Sequence, residues 1–140
     1  MDSTSHSDLT WMLDELAAVP AVGHAVVLST DGLIVQKSGS LTQDAAELFA
    51  AAASSMSSVA AATGRHFASG PVQQVVIEYL NNTVFIASAG QNACLAVLCD
   101  QDVDMGTIAY EMGRLVTRIG QYLGAEPRTS TSLTGGNTRA

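Results

Sequence analysis

Three residue pairs decide most of what this chain can fold into: Asp31-Gly32, Asn81-Asn82 and Gln91-Asn92. Each stands between two runs rich in Val, Ile, Leu and Ala, and each is a turn former of the kind that joins neighbouring strands. Strands linked so briefly must run antiparallel, because a parallel pair needs a crossover of a dozen residues or more. "HAVVLS" therefore returns as "LIVQKSG" across Asp31-Gly32, which supplies the positive φ angles of a two-residue hairpin turn. "VQQVVIEYL", "TVFIASAG" and "ACLAVLC" make a second antiparallel set joined by the other two turns.

Helical patterns fill the rest. Ser7 or Asp8 is placed to cap a first helix, with Leu9, Met12, Leu13, Leu16 and Val19 at helical spacing and Pro20 as its stop. A long middle helix covers "SLTQDAAELFAAAASSMSSVAAATG". Ser40 with Gln43 reads as a capping box, Asp44 and Glu47 suit the positive end of the dipole, and Gly64 is the expected end. Asp100 or Asp102 is expected to cap a last helix whose apolar stripe is Met105, Ile108, Met112, Leu115, Ile119 and Leu123. The order α-β-β-α-β-β-β-α predicts an α+β fold, a five-stranded antiparallel sheet with helices packed on it. The expected division is a flexible N-terminus at 1–6, one domain at 7–124, and a disordered Ser-, Thr- and Gly-rich tail at 125–140.

Charge narrows the range of partners. The formal net charge is −7 over 140 residues, and the six cations, Lys37, Arg65, Arg114, Arg118, Arg128 and Arg139, are scattered. Nucleic acid and anionic membrane both demand clustered Lys and Arg, so neither is an expected partner. The start "MDSTSHSD" is polar and acidic, and the longest weakly polar run, Leu48 to Ala62, falls short of the ~20 apolar residues that span a bilayer. The reading is a cytoplasmic protein. Cys94 and Cys99 fit it: an odd spacing on one strand points them to opposite faces, so they cannot pair with each other.

Motifs for catalysis are missing from the sequence. There is no G-x-x-x-x-G-K-[ST], no G-x-G-x-x-G and no G-x-S-x-G. His6, His24 and His66 lie far apart. A triad of Ser29, His24 and Asp31 fails on geometry, since residues five apart on a strand face opposite sides. "DQDVD", Asp100 to Asp104, lacks the Gly and the distant Glu of a calcium loop and reads as helix capping. Asn81-Asn82-Thr83 matches a glycosylation acceptor, which has no meaning in the cytoplasm. Arg65 could act as an arginine finger, but a cation at a helix C-terminus has a sufficient structural reason to be there. No catalytic, cofactor or metal site is expected.

The middle helix carries a different message. Leu48, Ala52, Met56 and Val59 trace one face, and nearly all the remaining surface is Ala and Ser, with no charge between Glu47 and Arg65. A helix this bare is covered on more than one side: its own sheet covers one, and the simplest cover for the other is the same helix of a second copy. "VQQVVIEYL" supports this. It follows a Gly-Pro, is placed at a sheet edge, and has neither Pro nor Lys to blunt that edge, with Glu78 its sole charge. The predicted dimer interface is Ala45, Leu48, Ala52, Ser55, Met56 and Val59 with Val72, Gln74 and Val76. Gly106, Gly113 and Gly120, spaced by seven on the last helix, predict a close contact along one of its faces.

Together these stretches resemble a family. "LTWMLDELAAVPAVGHAVVLSTDGLIVQKSG", the Ala-rich helix, "VQQVVIEYLNNTVFIASAG" and "ACLAVLCDQDVDMGTIAYEMGRLVTRIG" are similar to a roadblock/LC7 domain from Leu9 to Leu123, nearest the bacterial branch encoded in actinomycete operons beside a small Ras-like GTPase. The resemblance implies a profilin-like sandwich that dimerises through the middle helix and the next strand into a continuous ten-stranded sheet, with the first and last helices on the opposite face. It implies a regulatory or scaffold partner of a small Ras-like GTPase, acting on the GTPase's own residues and without an arginine finger, in company with a sensor-kinase-like membrane protein. Glu47, Ser54 and Arg65 are the candidate GTPase contacts. The alternative is a PAS- or GAF-like small-molecule sensor, which needs a roomy apolar cavity; aromatic residues to line one are only 5% of the chain.

Overall fold

The computed structural model describes residues 2–124, with side chains from residue 9 onward, so the tail expected at 125–140 lies outside the described residues. In chain order the elements are α1 (Asp2–Ala17), β1 (Val22–Ser29), β2 (Ile34–Lys37), α2 (Gln43–His66), β3 (Gln74–Glu78), β4 (Asn82–Ser88), β5 (Ala93–Asp100) and α3 (Met105–Gly124). This is the predicted order. Every strand pairing is antiparallel, in the sheet order β2-β1-β5-β4-β3. A hairpin and a three-strand meander are thus joined by β1 against β5, and β3 lies at an edge as its sequence predicts.

Strand alternation sorts the core into two layers. Ala25, Val27, Phe85, Leu95 and Val97 pack with Leu13, Leu16, Ile108, Met112 and Ile119 under α1 and α3. Val26, Leu28, Val84, Ile86 and Ala96 pack with Ala46, Ala50 and Ala53 under α2. Cys99 falls in the first layer and Cys94 in the second, on opposite faces as the odd spacing requires. Leu13, Ile108 and Ile119 are fully buried, each contributing about 2 kcal/mol by leaving water. The contribution from α2 is smaller, because its sheet-facing stripe is alanine.

Local details differ from the sequence reading in several places. α1 begins at Asp2, so Ser7 and Asp8 lie within the helix rather than capping it, and residues 2–6, read as flexible, belong to it. No Pro or Gly stands between Asp2 and Pro20 to interrupt it. The β1–β2 turn has three loop residues, not two. The Gly32 N–H donates to the Ser29 carbonyl at 2.9 Å, the Ser29 N–H donates to the Leu33 carbonyl at 2.8 Å, and Gly32 takes a φ of +88°. This is a type I turn closed by a left-handed glycine. The N-cap of α2 is Thr42 rather than Ser40, with its hydroxyl accepting from the Ala45 N–H at 3.2 Å. Ser40 instead meets His24 Nδ1 at 3.2 Å. α2 passes Gly64 and ends at His66, with the Phe67 N–H bonded back to the helix. α3 is capped by Asp104, not by Asp100 or Asp102, since β5 continues through Asp100.

Candidate functional site

The seven-residue spacing from Leu48 to Ser55 and from Ala52 to Val59 puts these residues on one face of α2. Ala46, Ala50 and Ala53, on another face, meet the sheet. The structure therefore turns the predicted interface stripe away from the core. Leu48 is 73% exposed, Val59 67% and Met56 45%, and Ala45, Ala52 and Ser55 are exposed beside them. Six large apolar or small residues along one side of the helix, with no charge between Glu47 and Arg65, form an apolar patch rather than scattered exposure.

The edge of β3 borders this patch. Val75 and Ile77 face α2 and pack into its layer. Gln74, Val76 and Glu78 alternate to the other face and are exposed. Val72, expected inside the strand, precedes it and is half-buried. Between α2 and β3 run two surface clefts. One, of about 300 Å³, is walled by Leu48, Phe49, Ala52 and Met56 and floored by Ile77 and Tyr79. The other, of about 340 Å³, lies between Ser57, Ser58 and Ala61 on the helix and Pro71 and Val72 before the strand. Phe49, Tyr79 and Leu80 were missed in sequence. Tyr79 is 56% and Leu80 87% exposed at the hairpin tip, where a Tyr-Leu pair running into Asn-Asn was the available signal.

Side chains suggested for chemistry or GTPase contact do not converge. Glu47 and Arg65 are 18 residues apart on one helix, ~27 Å along its axis. The Glu47 carboxylate accepts from Gln43 Nε2 at 3.1 Å. Between them, the Ser54 hydroxyl donates to the Thr30 carbonyl at 3.0 Å and so fastens α2 to the β1–β2 turn. Ser29 Oγ accepts from the Leu33 N–H, and His24 meets Ser40, so neither addresses the other. Among the described residues no three His, Cys, Asp or Glu side chains gather in a metal-binding group. Burial pushes the Cys99 thiol up to about 11, helped by the Asp100 carboxylate, and burial also raises Cys94 despite a hydrogen bond with Ser57. Neither is a poised nucleophile.

Contrary to the expectation from its apolar run, α2 is long and apolar enough to cross a membrane by length and composition alone. Its buried alanines and the Ser54 bond join it to the sheet. Of Gly106, Gly113 and Gly120 on α3, only Gly120 makes a close backbone contact, and that is with Gly90 in the β4–β5 turn.

Residues 9–99 match the family model described as Roadblock/LC7 domain. The chain belongs to the Roadblock/LC7 family. A solved roadblock domain from Streptomyces avermitilis is 37% identical, with a TM-score of 0.79 over 83% of this chain and 98% of that one. Myxococcus xanthus MglB shares the fold at 9% identity, with a TM-score of 0.79 over 85% of this chain and 97% of that one. The gliding protein MglB from Thermus thermophilus does so at 12% identity, with a TM-score of 0.76 over 84% and 90% of the two chains. Among curated proteins there is no match. The family sets aside the PAS- or GAF-like reading, and the two clefts of this roadblock domain are open flanks of α2 rather than an enclosed ligand chamber.

Proposed function

We propose that this roadblock domain is a homodimeric platform, joined through α2 and β3, that binds a small Ras-like GTPase and modulates its nucleotide cycle. One observation carries the reading: a solvent-facing apolar stripe, Leu48 to Val59, lies directly beside an unblunted sheet edge. A second copy satisfies both at once. The helices cover each other's stripes, and the β3 edges pair into a ten-stranded sheet. Ala45, Leu48, Ala52, Ser55, Met56 and Val59 supply side chains, Gln74 and Val76 the strand edge, and Val72 its approach. The helix layer left on the outside, ending in Glu47 and Arg65, then faces the GTPase.

Among the described residues the candidate catalytic side chains do not converge, and the effect on hydrolysis or exchange comes from ordering the GTPase's own residues, which is worth several kcal/mol when the alignment is good. The domain works in the cytoplasm as a regulator or scaffold, next to a sensor-kinase-like membrane protein. Sedimentation equilibrium at micromolar concentration is expected to give a dimer. A Ras-like GTPase encoded beside this protein is expected to co-elute with it in one nucleotide state and to change its GTP turnover. A monomer, or a GTPase that associates in no nucleotide state and turns over unchanged, overturns the reading.

A further inference from the structure

We infer that Gln36 seals the β2 edge of the sheet, so that β3 of another copy has no place to pair there. The inference is separate from the homodimer reading, which concerns the other edge. A sheet in the order β2-β1-β5-β4-β3 has an open rim at each end. If both rims accepted a strand, β3 of one chain would pair with β2 of the next. Such a head-to-tail contact does not close on itself and grows into filaments.

The backbone of β2 shows how its rim is closed. The Ser38 N–H donates to the Ala25 carbonyl at 2.8 Å, so Ser38 turns its amide inward to β1. Orientation alternates along an antiparallel ladder, and Lys37, opposite Val26, therefore turns its amide out to the rim. Gln36 Oε1 accepts that Lys37 N–H at 3.0 Å. The donor that an incoming strand would need is already bonded to the neighbouring side chain. Lys37 adds a charge at the same point, as edge strands that resist pairing commonly do.

Both ends of the strand are closed by serines. Ser29 Oγ accepts the Leu33 N–H at 3.2 Å at one end. At the other, Ser38 Oγ accepts the Ala25 N–H at 3.0 Å, and the Ser38 carbonyl accepts the Leu41 N–H at 3.2 Å, which bends the chain off the rim towards α2. Ser38 is buried in making these bonds. Between the serines β2 has only four residues, Ile34–Lys37. Its register also slips: Gln36 faces Val27 and Ile34 faces Leu28, which leaves Val35 without a partner and breaks the alternation that a continuous strand could match. β3 keeps an even register from Gln74 to Glu78.

Sedimentation velocity tests the seal, with wild type supplying the baseline mass whatever its own state. Lys37→Thr alone leaves the Gln36 bond in place and is expected to match wild type. Gln36→Met combined with Lys37→Thr keeps the side-chain length and removes the acceptor. Its weight-average mass is expected to rise about twofold or more as concentration increases. The Tyr79 N–H donates to the Asn82 carbonyl at 2.8 Å, so by alternation Val76 turns its amide to the β3 rim, where proline is tolerated. Adding Val76→Pro is therefore expected to cancel the growth. A double variant with a native far-UV spectrum and no growth overturns the seal, as does growth in Lys37→Thr alone or growth that survives Val76→Pro. Wild-type amide exchange reads the same bond without any variant. The Lys37 N–H is expected to exchange about tenfold or more slowly than an unbonded amide, and exchange at the unbonded rate overturns the seal as well.

Discussion

Gly113 and Gly120 look alike in sequence, one heptad apart on α3, but their surroundings differ sharply. A Cβ at Gly120 would stand 3.1 Å from the Gly90 nitrogen and 3.3 Å from its Cα, backbone that cannot give way, whereas one at Gly113 would meet nothing within 4 Å. Gly113→Ala is expected to stabilise the domain by about 0.5–1 kcal/mol, a thermal-melt gain of a few degrees, because alanine is the better helix former. Gly120→Ala is expected to lower the melting temperature despite the same propensity gain. The spacing announced a contact, but not which glycine makes it, since that depends on where the β4–β5 turn comes to rest. The helix caps were similarly half-legible. Ser40 and Thr42 both offer hydroxyls, and Asp100, Asp102 and Asp104 all offer carboxylates; where β2 and β5 run out makes the choice. Hydrogen bonds from the Thr107 hydroxyl and N–H hold the Asp104 carboxyl below the ordinary value of 3.8. Its folded value is the depressed one, so its contribution to stability is complete above 3.8 and is lost as pH falls through the lower folded value. Acid titration of unfolding is therefore expected to separate wild type from Asp104→Ala at neutral pH and to bring the two together at strongly acid pH.

At the scale of elements, α2 presents alanine to its own sheet and its larger apolar side chains to water. Period counting found that outer stripe, because leucine, methionine and valine stand out from alanine. It did not find the inner one, where Ala46, Ala50 and Ala53 are indistinguishable from their neighbours until a sheet is laid against them. Ala52→Arg places a long charged side chain at the crossing of the proposed interface and, by symmetry, does so twice. Self-association is expected to weaken by about 2–6 kcal/mol, roughly 30-fold or more, as measured by sedimentation. The folded monomer is expected to keep its far-UV spectrum, since Ala52 is exposed in the single chain. β3 was legible as an edge from its Gly-Pro approach and lack of Lys. The exclusion of Val72 from the strand was not, because Val72 has the same β propensity as Val75 and Val76 and is excluded only by the path of the chain after Pro71.

For the whole molecule, the fold class and element order followed from the turns, because short links leave antiparallel pairing as the single choice. The β1–β5 pairing that closes the sheet had no local signal: it joins residues about seventy positions apart and is selected by burial of both strands. If folding and association are linked as proposed, the melting temperature is expected to rise with protein concentration, and Ala52→Arg is expected to abolish that dependence. A concentration-independent wild-type melt would separate the two processes. The bond from Ser54 to the Thr30 carbonyl acquires a mechanical meaning here. Thr30 also donates its N–H to the Asn92 carbonyl at 3.1 Å, so the middle of α2, the first hairpin and the β4–β5 loop are riveted in series. Because Gly90 of that same loop packs against Gly120, the chain of contacts runs from the middle of α2 on one face of the sheet to α3 on the other.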